Sequence, residues 1–252
     1  MEKENSGRLI ILAGPSCVGK SPLAKALARF FPELSGTLQP LVLYNSRDRR
    51  PGERDGVDYH FRSRKKIDSF TSYDNYIMME VRGDLQALDL NELSKALKQG
   101  NVFFEGNPFI GKLLLTHPSL SSVSKISVFM SPVTREEILN YRSDALKKPL
   151  PEFIKELMQG KLLRRTKKQK GELSGKDFEE IERRASSAYN ELKLAYLYQN
   201  IIPNHDGEDS ENWTDPGYPS GDAGSALNAF SAILRGEITP VVEKWDKELL
   251  DG

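Results

Sequence analysis

Several things are scarce in this 252-residue chain, and each scarcity excludes something. One cysteine, Cys17, rules out an internal disulfide framework and suits a reducing compartment. Lys and Arg total 36 and so do Asp and Glu, so no net field draws the chain to nucleic acid or an acidic membrane, and any polyanion site must be local. The run Arg164 to Lys170 is basic but lacks the interleaved aromatics of a nucleic-acid surface. His60, His117 and His205 have no nearby cysteine and no paired carboxylate spacing to suggest zinc. No apolar run approaches membrane-spanning length, and Met1 to Ser6 lack the basic-then-apolar order of a secretory leader. The expectation is a cytoplasmic protein with neither nucleic acid nor membrane as partner. No internal repeat is visible, and the length suits one α/β core with appendages.

What the chain does carry is Gly14-Pro15-Ser16-Cys17-Val18-Gly19-Lys20-Ser21, the phosphate-loop pattern G-x-x-x-x-G-K-S, directly after the strand-like run Leu9 to Ala13. Leu23, Ala24, Leu27 and Ala28 follow at helical spacing, so the glycines turn a strand into a helix whose first N–H groups face outward. Such an end holds phosphate, because backbone donors and the helix dipole both favour negative charge. Lys20 is placed to reach β- and γ-phosphates, and the Ser21 hydroxyl to ligate Mg²⁺. Pro22 falls in the first helical turn, where its missing N–H costs little. Cys17 reads first as a small residue filling a tight loop, and second as a thiol whose modification would block nucleotide.

Along the chain, Leu41 to Tyr44 reads as a second strand, residues from Lys65 to Tyr76 include a short helix, and Leu90 to Gln99 is an amphipathic helix stopped by Gly100. Val102 to Glu105 and Ile126 to Met130 are further strands, and Thr134-Arg135-Glu136-Glu137 is a capping box opening a helix. A basic stretch from Lys147 to Lys176 precedes one long helix over Phe178 to Tyr198. Asp206 to Gly224 reads as a loop, followed by short helices at about Ser225 to Leu234 and Val241 to Leu250. Strands alternating with helices behind a phosphate loop predict α/β architecture with a parallel sheet, and ligands at the strands' carboxyl ends.

The segment Arg47-Asp48-Arg49-Arg50-Pro51-Gly52-Glu53-Arg54-Asp55-Gly56-Val57-Asp58-Tyr59-His60-Phe61 closely resembles the acceptor-phosphate segment of guanylate kinases. The resemblance extends more weakly to about Asp206. It implies a P-loop NTPase-type parallel sheet flanked by helices, with an inserted acceptor-binding segment and a helical lid. It also implies phosphoryl transfer from ATP, with Mg²⁺, to a nucleoside monophosphate. On that reading residues 1–206 form the family-like domain, with core at about 7–43 and 100–206, acceptor segment at about 44–99 and lid at about 140–185; residues 207–252 are a loop plus a helical extension. Carried over residue by residue, Arg47, Arg50 and Tyr59 clamp the acceptor phosphate. Glu105 stands where the family has an aspartate, near the acceptor or the Mg²⁺ waters. Arg164 or Arg165 and Arg184 fold over the moving phosphoryl group, and Asn204 contacts adenine. Lys167 to Asp177 looks inserted within the lid.

The base-reading half departs from the family pattern. Leu43 stands at the position of a base-contacting serine, and the ungapped alignment puts Ile77 where the family has a glutamate and Leu85-Gln86 at its paired tyrosines. A shifted register would give the glutamate's role to Glu80. The readings left open are a kinase of GMP or dGMP, a kinase with an altered acceptor base, a kinase of a non-nucleotide phosphate, and a non-catalytic module that binds a partner protein.

Overall fold

The computed structural model describes residues 7–49, 52–143, 148–214 and 217–250. In chain order the elements are β1 (Leu9–Ala13), α1 (Lys20–Phe30), α2 (Pro32–Ser35), β2 (Leu38–Pro40), β3 (Tyr44–Asn45), β4 (His60–Phe61), α3 (Arg64–Asp68), β5 (Tyr76–Val81), β6 (Asp84–Asp89) and α4 (Leu90–Gln99). They continue with β7 (Asn101–Gly106), α5 (Pro108–Thr116), β8 (Lys125–Ser131), α6 (Arg135–Ser143), α7 (Leu150–Lys170), α8 (Gly175–Leu192), β9 (Asn200–Pro203) and α9 (Gly221–Arg235). Five strands form a parallel sheet in the order β2-β7-β1-β8-β9. Four others form a small mixed sheet in the order β4-β3-β6-β5.

The unbroken apolar run of β1 follows from its place. It pairs on both edges with β7 and β8, and every one of its residues is buried. Alternate side chains feed opposite faces. Leu9, Ile11 and Ala13 join the core made with α5, α7 and α8, whereas Ile10 and Leu12 join the core made with α1 and α9. Phe230 and Leu227 of α9 are fully buried in that second core, so the carboxyl-terminal region completes one side of the main sheet.

Several sequence-based boundaries shift. The apolar run at 41–44 is not one strand: the chain leaves the main sheet at Pro40, passes through buried Leu43 and enters the small sheet at Tyr44. Gly100 ends α4 in an extended conformation rather than a left-handed one. The capping box holds, with Thr134 N–H donating to Glu137 Oε2 (2.7 Å) and Glu137 N–H to Thr134 Oγ1 (3.0 Å). The long helix of the sequence reading starts at Gly175 and stops at Leu192, before a 3₁₀ turn at Ala195–Leu197. The stretch 167–177 supplies the end of α7, a short connection and the first turn of α8. Helix α9 begins four residues before Ser225. No helix forms over 241–250; Glu243 instead makes an isolated bridge to Ile201, and a 3₁₀ turn follows at Lys247–Leu249. Among the described residues no helix is long and apolar enough to cross a membrane.

Candidate active site

The phosphate loop joins β1 to α1, and Gly19 is its hinge. Gly19 caps α1 with φ 103°, and a Cβ there would sit 2.6 Å from Asn204 Nδ2. Gly14 is needed for close approach, since a Cβ would meet Met130 O at 2.4 Å. Lys20 folds back, its Nζ donating to Gly14 O (2.9 Å) and Pro15 O (2.8 Å). Burial lowers the Lys20 pKa, opposed by Glu208, Glu105 and Glu191. Ser21 Oγ donates to Glu105 Oε1 at 2.6 Å. Glu105 lies near the carboxyl end of β7, and burial raises its pKa against the pull of Ser21 and Lys20. Cys17 is fully buried, and burial together with Glu208 pushes its thiol up to about 12, so nucleotide-blocking modification loses its chemical basis.

These groups face a cleft of about 460 Å³ that the small sheet and helices α7 and α8 close. Arg47 and Tyr59 line it from the connection between β3 and β4; Arg165 and Arg184 line it from α7 and α8. Arg50 lies outside the described residues. The cations arrive already paired: Arg47 Nη1 donates to Glu53 Oε2 (2.7 Å), Arg165 to Glu208 (2.9 Å) and Arg184 Nε to Glu180 Oε1 (2.7 Å). Burial would raise the Glu180 pKa, but Arg184 and Arg183 outweigh it and hold it down to about 2.

Other expected residues lie elsewhere. Arg164 points away from the cleft, exposed and bonded to Asp209 Oδ2 (2.8 Å), which leaves Arg165 as the member of that pair facing inward. Glu80 is exposed and pairs with Arg64, off the cleft, while Ile77 is buried in the core. Leu43 is likewise buried, and the polar groups at that end of the cleft are Asn45, Asp84 and Gln86. Asn45 and Gln86 sit side by side in the β3–β6 register, and Gln86 Oε1 is buried without a hydrogen-bond partner. Asn204 does not reach the cleft either. It is fully buried, and its Nδ2 donates to Val18 O (2.7 Å) and Asp206 O (2.7 Å), bracing the phosphate loop. Arg82 and Glu191 are the chief residues that sequence reasoning missed. The only signal was a charged residue before Gly83 in a short break between strand-like runs.

The family model for guanylate kinase matches residues 6–104. A guanylate kinase of Corynebacterium jeikeium (strain K411) is 33% identical over 144 residues, covering 54% of this chain and 70% of the relative. The chain belongs to the guanylate kinase family. A second relative, from Chlorobaculum tepidum, is 33% identical over 136 residues, 53% of this chain and 66% of its own. The crystal structure of guanylate kinase from Anaplasma phagocytophilum shares the fold at TM-score 0.52 and 17% identity, covering 98% of this chain and 95% of the other. Membership therefore accounts for the P-loop-type sheet, and the likeness in fold runs through α9 as well.

Proposed function

We propose that the protein transfers the γ-phosphoryl group of ATP to a nucleoside monophosphate. The observation carrying this reading is that Lys20, Ser21, Glu105, Arg47, Tyr59, Arg165 and Arg184 all line one cleft. Phosphoryl transfer brings many negative oxygens together through a loose transition state, so positioning and charge neutralisation supply most of the catalysis. An oxygen of the acceptor phosphate attacks the γ-phosphorus, the bond to the β,γ-bridging oxygen breaks, and ADP and a nucleoside diphosphate leave. Lys20 and the loop N–H groups hold the donor phosphates, Arg47 and Tyr59 the acceptor, and Arg165 and Arg184 the group in flight. Their present carboxylate partners must give way as the phosphates enter. Ser21 Oγ and the Glu105 carboxylate, 2.6 Å apart, are the all-oxygen donors a hard cation prefers, directly or through its waters. Mg²⁺ held by these two residues would supply Lewis-acid neutralisation of developing phosphoryl charge.

The relatives' name points to GMP or dGMP as acceptor. Burial of Leu43 and Ile77 in the core favours a changed or relaxed choice of base, because neither offers the base a polar partner. An intact Gly19-Lys20-Ser21 supports catalysis over a purely protein-binding module, which needs neither an ammonium nor a metal-binding hydroxyl. Initial rates of ADP formation from Mg-ATP with a panel of nucleoside monophosphates and sugar phosphates test the reading. Turnover with GMP alone ends the changed-acceptor idea; no turnover with any acceptor, and no Mg-ATP binding, overturns the kinase reading.

A further inference from the structure

Arg82 and Gly83 form the two-residue turn between β5 and β6, since Val81 pairs with Asp84 and both turn residues have positive φ, 54° and 87°. Such a turn favours asparagine, aspartate or glycine at its first position; arginine has a full Cβ and no short side chain to bond its own backbone there. The side chain explains the choice. It enters the cleft, where Nη1 donates to Ser16 Oγ of the phosphate loop at 3.1 Å and Nε donates to Glu191 Oε1 at 3.0 Å. Glu191, on α8, is fully buried. The same oxygen accepts from Ser187 Oγ (2.7 Å) and from Asn107 Nδ2 (3.1 Å), at the start of α5, while Oε2 has no protein partner. A fully buried carboxylate is tolerated only with a counter-charge, and Arg82 is the cation bonded to it. The Arg82 carbonyl meanwhile accepts from Arg183 of α8. One residue of the acceptor segment thus touches the donor loop and the lid helix together.

We propose that Arg82 is a positioning residue that couples the two nucleotide sites, an inference resting on the phosphoryl-transfer reading. Its contact with Ser16 exists only while the acceptor segment lies against the phosphate loop. A ligand that holds the segment there presents the guanidinium to the donor loop, so acceptor tightens donor, and donor tightens acceptor by the same factor.

Calorimetry with Mg-ADP and the monophosphate that gives the highest rate in the acceptor panel, a pair that cannot react forward, measures that factor. In the unaltered protein that acceptor should tighten Mg-ADP by about fivefold or more. Because Arg82→Gln alone strands a buried charge, the decisive variant combines Arg82→Gln with Glu191→Gln. It should bring the factor close to one while leaving Mg-ADP affinity measured alone within about threefold, and Arg82→Lys should keep part of the coupling through its charge. Coupling retained in the double variant, or absent from the unaltered protein that still binds both ligands, overturns the proposal. Binding of neither ligand overturns the transfer reading itself, and the coupling with it.

Discussion

Replacing Asn204 with alanine separates two roles for one residue. An asparagine reading adenine would matter only when nucleotide is bound, whereas an asparagine that braces the phosphate loop matters with or without it. Its Nδ2 donates to Val18 O and Asp206 O, both at 2.7 Å, and no solvent reaches the side chain. Truncation strips the buried Val18 carbonyl of its Asn204 donor, at about 1–2 kcal/mol, whereas Asp206 O keeps the Trp213 indole N–H at 2.6 Å. For a domain of this size that corresponds to about 2–8 °C in Tm. Thermal unfolding without nucleotide is the assay, paired with Mg-ATP titration below the new midpoint. We expect a lower Tm in the ligand-free protein together with weaker Mg-ATP binding, because Gly19 packs directly on that amide. An unchanged ligand-free Tm with weakened ATP binding alone would refute the bracing argument and restore the adenine contact.

Two further outcomes follow from the charge environment. Cys17 should resist thiol reagents in the folded protein near pH 8 and react fully in urea, because its thiol is enclosed and burial pushes it up to about 12; rapid labelling of the native chain, traced by mass spectrometry, would contradict this. His205 bridges Glu137 (2.9 Å) and Asp222 (2.5 Å), and although burial lowers its pKa, the two carboxylates outweigh burial and raise it. A raised folded-state value stabilises the fold fully below the unfolded histidine pKa, and that contribution disappears as pH rises through the folded value. His205→Gln should therefore lower Tm most in mildly acidic buffer and least in alkaline buffer, and a pH-independent difference would refute the assignment.

The phosphate loop was legible because its signal is local: eight consecutive residues, an apolar strand before them and a helix after. The resemblance singled out residues 47–61, and of these Arg47 and Tyr59 line the cleft. The assignments that moved depend on distant partners. Asn204 meets Val18 across 186 positions, and nothing around Asn204 announces a loop needing an amide. Leu41 to Tyr44 is apolar throughout, but a run so short carries no information about which of two sheets receives it. Residues 241–250 carry apolar side chains at 241, 242, 245, 249 and 250, a spacing that suits a short helix; pairing of Glu243 with Ile201 decides for an extended strap instead. Arg82 became visible only when the β5–β6 register exposed a two-residue turn occupied by an unsuitable side chain.

The ready-made pairs Arg47–Glu53, Arg165–Glu208 and Arg184–Glu180 bear on selectivity among anions. A guanidinium already gripped by a carboxylate gains little from a lone chloride or sulfate, which merely swaps one partner for another. A guest delivering several phosphoryl charges at once displaces several carboxylates together and keeps every cation satisfied. On the proposed transfer reading, small ions meet competition from these carboxylates, and the arginines stay in reserve for a guest rich enough in charge to claim them.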